Sequence, residues 1–507
     1  MLNIKKIVIS STTLSIIICS LIWSLTVYLI LHSNIIPGVD SYFHLELADI
    51  MKNFGIILKN FPWTTCSVWN SAFFDKDWLF HLYLIPFLYF GKLLGGKIAI
   101  LFTVFLSGAA WGYLIKSLKI KYIFTALLLI LLSTQTAFLG RLIFCRGHIL
   151  SILIFPLCLI FLLKDKKILL LVFTYIYSLS YTGSWQILVI AILFDIVTFK
   201  KNKKTKIYNL MTLWCLYGTV LGFIANPYFP ANITGGIIQN IMIMKARWFG
   251  VSQNYIIQGQ ELYPMPLFKL ITIYLPIVVI NIYTFIRVIQ LKKHTESDST
   301  LLFFALLSII YLLITVIIIK FTDYYVPIAI TFIAFYWHNK ILNLNKYIKF
   351  ILFIILYLLL ALSLYKSISI IRKDTYRDKI PFVSVSKWIK NNLMSSKTTE
   401  INPKKLIFTS SWDNTPYLFY HLPEFKYLVM LDPYFMYSYS PEKYRIWEKI
   451  SRGKALSPAL SILKTFKTNI VLVTQKRIEL IRQLSNSRYA VLVYKNDNGD
   501  RVFLLRN

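Results

Sequence analysis

The chain has 507 residues, of which 57% are hydrophobic and only 15% charged, and its mean hydropathy is +0.62. That balance excludes an ordinary soluble globule. The formal net charge is +33, yet many of the lysines and arginines punctuate apolar runs instead of gathering on a soluble stripe, which argues against a nucleic-acid partner.

The first apolar run, 10–31 (SSTTLSIIICSLIWSLTVYLIL), is long enough to cross about 30 Å of hydrocarbon as a helix, as are 207–225, 268–286, 299–319 and 347–365. Such runs recur along the chain, so a single signal peptide is excluded. Basic clusters separate them at Lys5-Lys6, at Lys116, Lys119 and Lys121, at Lys164, Lys166 and Lys167, at Lys200 to Lys206, at Arg287 with Lys292-Lys293, and at Lys340 with Lys346 and Lys349. The positive-inside rule assigns these to the cytoplasm. A consistent map then has about eleven spans, near 8–32, 97–115, 122–140, 148–163, 167–182, 184–199, 207–225, 268–290, 299–319, 325–338 and 347–366. The N-terminus lies inside and the tail outside. Segment 78–95 would invert this map as a span, so it is read as an interfacial or re-entrant helix.

The domain division is a mainly α, polytopic bundle over 1–370, with a first outer loop at 33–96, followed by a soluble α/β domain over 371–507. In the tail, KLIFTSS, KYLVMLD and NIVLVT read as buried strands. SVSKWIKNNL, PEKYRIWEKISRG, SPALSILKTF and KRIELIRQLS read as amphipathic helices, and VLVYKNDNGDRVFLL as a closing hairpin turning at Asn496-Asp497-Asn498-Gly499. Strands alternating with helices suggest an α/β layer domain. The five cysteines include none in the tail and no CxxC pair, so neither a disulfide framework nor a zinc site is implied.

Most of the polar chemistry of the membrane part falls in the expected outer loops 33–77, 140–148, 181–184, 226–267 and 320–325. After the first span comes Pro37-Gly38-Val39-Asp40-Ser41-Tyr42-Phe43-His44. Asp40 either caps the helix that restarts there or offers a carboxylate to an acceptor hydroxyl or amine, or to a metal. Asp75-Lys76-Asp77 has the spacing of a chelate for a divalent cation such as Mg or Mn holding a diphosphate, or is a solvated turn. Arg141, Arg146 and His148 cluster near one span end, and Lys320, Asp323, Tyr324 and Tyr325 near another. Snorkelling would explain such cations, but they sit on the side that the charge bias avoids, which favours phosphate contact. In the tail, Trp412 and Asp413 follow one strand and Asp432 and Tyr434 another, where α/β domains bind ligands. Tyr434 is expected to pack the tail onto the membrane part.

PGVDSYFH, FFDKDWLFH, GRLIFCRGH, NPYFP with ELYP, KFTDYYVP and SSWDNTPYLFYHLPEFKYLVMLDPYF together resemble the GT-C superfamily of lipid-phosphosugar-dependent glycosyltransferases. Within it, the pattern is most similar to the oligosaccharyltransferase catalytic-subunit branch and its bacterial relatives. The resemblance implies transfer on the periplasmic or lumenal face from a sugar carried on a polyprenyl phosphate or diphosphate. Asp40 would contact acceptor or metal, and His44, Arg141, Arg146, His148, Lys320, Tyr324, Trp412 and Asp413 would line the substrates. Two departures stand out. Ser411-Trp412-Asp413-Asn414-Thr415 replaces the double tryptophan of that branch, and the loop after the third span is basic where the branch keeps acidic metal ligands. Either Asp75 and Asp77 supply the metal, or the enzyme is metal-independent like the aminoarabinose transferase branch.

Two other classes compete. A transporter or lipid flippase places ionisable groups at mid-membrane, and here Asp195 is the chief candidate. A non-catalytic envelope-assembly scaffold would need only structural carboxylates. Richness in Ile, Lys and Asn suggests an AT-rich bacterial genome and hence a bacterial inner membrane. Asn232-Ile233-Thr234 matches a glycosylation sequon by three residues only.

Overall fold

The computed structural model describes residues 10–133, 136–202, 209–242, 259–290, 296–375, 379–394 and 405–506. The basic runs at Lys5-Lys6, Lys203 to Lys206 and Lys292-Lys293 lie outside the described residues. The chain forms two compact units, one of Met1–Ser33, Lys97–Ala225 and Gly259–Tyr376, the other of Asn34–Gly96, Asn226–Gln258 and Arg377–Asn507. The first outer loop therefore groups with the tail, where the sequence division had placed it with the spans.

The first unit is helical: α1 (Ser11–Leu31), most of α4 (Lys92–Ser117), α5 (Ile123–Leu132), α6 (Thr136–Arg141), α7 (His148–Leu163), α8 (Lys167–Ser180), α9 (Trp185–Asn202) and α10 (Met211–Ala225), then Leu267–Ile289, Glu296–Ile317, Thr322–Leu342 and Lys346–Thr375. Helices overlap the expected segments, with 122–140 divided between α5 and α6. Among the described residues, five stretches are by themselves long and apolar enough to cross a membrane: Ser11–Leu31, Lys92–Ser117, Leu267–Ile289, Ser299–Ile317 and Lys346–Lys373. Hydroxyls inside such helices bond back to their own turn, as Ser20 does to the Ile16 carbonyl at 2.8 Å and Ser107 to that of Thr103 at 2.8 Å. Those hydroxyls are thereby satisfied within the helix and present no free donor to an apolar surround. Helices α8 and α10 touch through Gly218, where an added Cβ would lie 2.0 Å from Thr174 Oγ1 and 2.3 Å from the Leu171 carbonyl oxygen. Only glycine permits that approach. Asp195 accepts from the Met211 and Thr212 N–H groups at 3.2 and 2.8 Å and from the Thr212 hydroxyl at 2.7 Å. Its carboxylate anchors the first turn of α10, which explains an acid in an apolar helix without transport.

In the second unit, β1 (Leu406–Thr409), β2 (Lys426–Tyr427), β3 (Ile470–Val473), β4 (Ala490–Lys495) and β5 (Arg501–Leu505) form a sheet of order β2-β1-β3-β5-β4. β1 is parallel to both β2 and β3, and the β4/β5 hairpin closes it antiparallel. The four expected amphipathic helices appear as Val383–Leu393, Pro441–Ser451, Pro458–Phe466 and Ile478–Ser485. KYLVMLD shortens to the two-residue β2, because Asp432 starts a new helix, Pro433–Tyr439, by accepting from the Tyr434 N–H at 2.9 Å.

The first outer loop extends this sheet. Tyr427 N–H donates to the Trp63 carbonyl at 2.8 Å, and Thr65 and Cys66 N–H groups donate to the Tyr427 and Leu428 carbonyls at 2.9 and 2.8 Å. Phe43, Phe61 and Trp69 of the loop meet Phe419 and Phe435 of the tail, for example with Trp69 and Phe435 ring centroids 4.9 Å apart. All five are at most 3% exposed, and each such side chain contributes about 1.5–3 kcal/mol by burial. Segment 78–95 is not one helix: α3 (Trp78–Leu88) ends before Gly91, whose φ of 93° turns the chain into α4. Asn232 is 4% exposed, so the acceptor side chain of its sequon is buried.

Candidate functional site

In the first unit, Glu261 gathers the basic residues. It lies in a short 3₁₀ turn, Gln260–Leu262, and is the sole acidic residue between Asp195 and Glu296. Arg146 binds it with both terminal nitrogens at 3.1 Å, Arg141 Nη1 reaches it at 2.5 Å, and Lys320 Nζ lies 3.8 Å away. Arg141 also forks onto Asp323, with Nε at 2.9 and 3.2 Å from the two oxygens and Nη2 at 3.2 Å. Burial alone would raise the Glu261 pKa, but Arg146, Arg141 and Lys320 together hold it well below the usual carboxylate range. Three cations face two carboxylates, so the cluster carries a net positive charge. Asp323 is 2% exposed, while Arg146 and Lys320 keep 22% and 25% of their side-chain surface. The accessible cations are thus oriented by Glu261, itself 24% exposed, while buried Asp323 anchors Arg141, which gives the preoriented donors that anion recognition requires.

His148 caps this frame, its Nε2 donating to the Arg141 carbonyl at 2.9 Å. Tyr324 is buried: its hydroxyl bonds Ser151, Tyr177 lies 3.3 Å away, and its ring rests on Phe155 at 4.9 Å. It supports the frame from within the helices.

In the second unit, α2 (Val39–Phe54) restarts the chain after Pro37. Gly38 occupies the N-cap position with φ 87°, a conformation that favours glycine. Asp40 is therefore not the cap. It sits in the first turn, half-buried, where the helix dipole favours a negative charge. One turn further, His44 Nδ1 meets His81 Nε2 at 2.8 Å, and His81 Nδ1 meets Asp75 Oδ2 at 2.7 Å. Asp75 Oδ1 accepts the Asp77 N–H at 3.0 Å. The chelate expected of Asp75 and Asp77 does not fit this arrangement. Both Asp75 oxygens are engaged, and Asp77 Oδ2 pairs with Lys76 at 3.3 Å. Asp77 Oδ1 alone is buried and unpartnered, a single oxygen where Mg or Ca takes six or more. Among the described residues no group of three or more His, Cys, Asp or Glu side chains is placed to hold a metal.

Elsewhere on α2, Glu46 is 3% exposed and bonds Lys92 at 2.6 Å. Burial pushes its carboxyl up to about 7, against the opposing pull of Lys92. In the tail, Trp412 and Asp413 belong to a 3₁₀ turn, Trp412–Asn414, fixed by the Thr415 hydroxyl on the Trp412 carbonyl at 2.6 Å. Asp413 is exposed. Tyr434 is 3% exposed, and its neighbour Phe435 makes the ring contact to the first loop. Sequence reasoning passed over Glu261 and His81. The isolation of Glu261 in a long acid-free stretch was the available signal for the first, and its spacing after Asp75 and Asp77 for the second.

Over nearly its whole length the chain shares its fold with solved structures of an oligosaccharyltransferase and of ArnT. An oligosaccharyltransferase AglB from Archaeoglobus fulgidus, in complex with an inhibitory peptide and a dolichol-phosphate, superposes with TM-score 0.60 at 12% identity, over 97% of this chain and 74% of that one. An Archaeoglobus fulgidus oligosaccharyltransferase in complex with Zn and sulfate gives 0.57 at 10% identity, over 96% and 73%. ArnT from Cupriavidus metallidurans bound to undecaprenyl phosphate gives 0.53 at 12% identity, over 97% and 98%. No protein-family profile and no curated protein matches the sequence.

Proposed function

We propose that this chain is a membrane glycosyltransferase that moves a sugar from a polyprenyl-phosphate or polyprenyl-diphosphate donor to an acceptor on the outer face of a bacterial inner membrane, with the tail on the same face. The observation that carries this reading is the net-positive frame of Arg141, Arg146 and Lys320 around Glu261 and Asp323. As the sugar leaves, the electron pair of the breaking C–O bond passes to the phosphate. Preoriented guanidinium and ammonium groups stabilise that charge. AglB and ArnT were each solved with a polyprenyl phosphate, which supports the lipid class. Asp40 is the carboxylate we assign to the acceptor, orienting it and taking its proton. Exposed Asp413, beside Trp412, is a candidate contact for the acceptor's remainder. Because Asp75 and Asp77 do not form a chelate, no step is routed through a metal.

The test is direct binding of undecaprenyl phosphate to the purified full-length protein in detergent. Arg146→Gln and Lys320→Gln should each weaken binding by about tenfold, the scale of one charge-assisted hydrogen bond. Unchanged affinity in both, with normal folding, refutes the phosphate assignment.

A further inference from the structure

The first outer loop lines a small cavity of about 10 Å³, room for a single water molecule. Most polar side chains of its wall are already committed. His81 uses both ring nitrogens, on His44 at 2.8 Å and on Asp75 at 2.7 Å. Asp75 also accepts the Asp77 N–H at 3.0 Å, and Lys76 pairs with Asp77 Oδ2 at 3.3 Å. Two side-chain atoms of the same wall are buried with no partner, Trp69 Nε1 and Asp77 Oδ1. Both residues are 3% exposed. An indole N–H only donates and an ionised carboxylate only accepts, so the two orphans are complementary. Buried polar groups are seldom left unpaired, and an ordered water is the ordinary remedy. Asp77 is unusual in a second way. It stands at the N-cap of α3, where an aspartate normally accepts an N–H of the first turn, yet its side chain makes no such bond.

We propose that this cavity is a binding site for one water molecule, which accepts from Trp69 Nε1–H and donates to Asp77 Oδ1. The chemistry of the two groups selects the occupant. A metal or ammonium ion would satisfy Asp77 but has no lone pair to offer the indole. An anion would take the indole proton but be repelled by the carboxylate. A sugar or a phosphate is too large for about 10 Å³. Water both gives and receives, and it fits. The bridge ties the 3₁₀ turn Val68–Asn70, through Trp69, to the start of α3, through Asp77. Trp69 also stacks on Phe43 at 5.7 Å and packs on Phe435 of the tail at 4.9 Å. The water therefore fixes the indole through which the first loop meets the tail. Asp77 is thereby a water ligand in place of the metal ligand that its spacing from Asp75 suggests, and this holds whether or not the chain transfers a sugar.

The experiment joins a cryo-electron microscopy structure of the full-length protein, at a resolution that shows ordered waters, to NMR of the same protein labelled in its twelve tryptophans. The Trp69 indole is assigned by its loss in Trp69→Phe. The map should hold one peak within hydrogen-bond distance of both Trp69 Nε1 and Asp77 Oδ1. The spectrum should show a rotating-frame Overhauser peak between the Trp69 indole proton and water, of the sign that chemical exchange cannot produce. Asp77→Leu is close in size and has no acceptor, so it should abolish that peak while the other indole resonances keep their places. An indole bonded directly to Asp77, with no density between them, overturns the proposal. So does a peak that strengthens when the protein is prepared in rubidium or manganese, since the occupant is then a cation. An Overhauser peak that survives at full strength in Asp77→Leu overturns it as well, because the water then does not bridge. If Asp77→Leu does not accumulate, the wild-type map decides: a single water peak on both atoms upholds the site, and an empty cavity refutes it.

Discussion

Glu261→Gln should move stability and lipid binding in opposite directions. Glu261 accepts from both terminal nitrogens of Arg146 and from Arg141, and pairs with Lys320. Gln keeps one acceptor oxygen and loses the charge, so two cations lose their nearest counter-ion, while Arg141 retains Asp323. Charge-assisted hydrogen bonds are worth about 1.5–3 kcal/mol each, and residual exposure discounts them, so a stability loss of about 2 kcal/mol follows. A phosphate seated among the same cations at about 8 Å from the carboxylate would be repelled by it with about 2 kcal/mol at an effective dielectric of 20. Ionic screening leaves about 1 kcal/mol, so neutral Gln should bind undecaprenyl phosphate about fivefold more tightly at low salt, and the gain should shrink as salt rises. The assay is a thermal unfolding scan beside a lipid titration at two ionic strengths. Weaker binding by a folded Glu261→Gln protein would refute the reasoning, because Glu261 would then serve to present the arginines more than to oppose their charge.

Asp40→Asn should fold normally, since Gly38 is the cap, but lose roughly 10²-fold in transfer. Near-wild-type transfer removes Asp40 from the mechanism. The Glu46 carboxyl rises on folding from 4.5 to about 7, so its stabilising contribution is complete below pH 4.5 and lost as pH rises through about 7. Glu46→Gln should therefore flatten the stability profile of the protein in that window without harm at pH 8, because Lys92 keeps Asp49 at 3.7 Å and the Tyr420 ring at 4.9 Å. A steeper profile in the variant contradicts this. A thiol placed at Lys203 should resist an impermeant reagent in whole cells and one at Asn498 should react, against a low background, as all five native cysteines are buried. The reverse labelling pattern defeats the charge-based topology.

The positions of the helices were legible in the sequence because a span is a local property: its length, its apolarity and the cations at its ends all lie within about twenty residues. The same holds for the four tail helices and the β4/β5 hairpin, and for the Pro37-Gly38 break that sets Asp40 in a first helical turn. Tertiary structure alone decided which charges meet. Arg141 lies 120 residues from Glu261 and 182 from Asp323, and no periodicity links them. Asp75 and Asp77 have the spacing of a chelate, but a buried carboxylate takes whichever donor the fold delivers, and α3 delivers His81. The segment 34–96 follows a membrane helix in sequence, yet its backbone at Trp63 to Cys66 pairs with β2 and its aromatic rings fill the tail's core. Edge-strand hydrogen bonds and aromatic burial act between surfaces that come together only on folding, so adjacency in the chain does not reveal them.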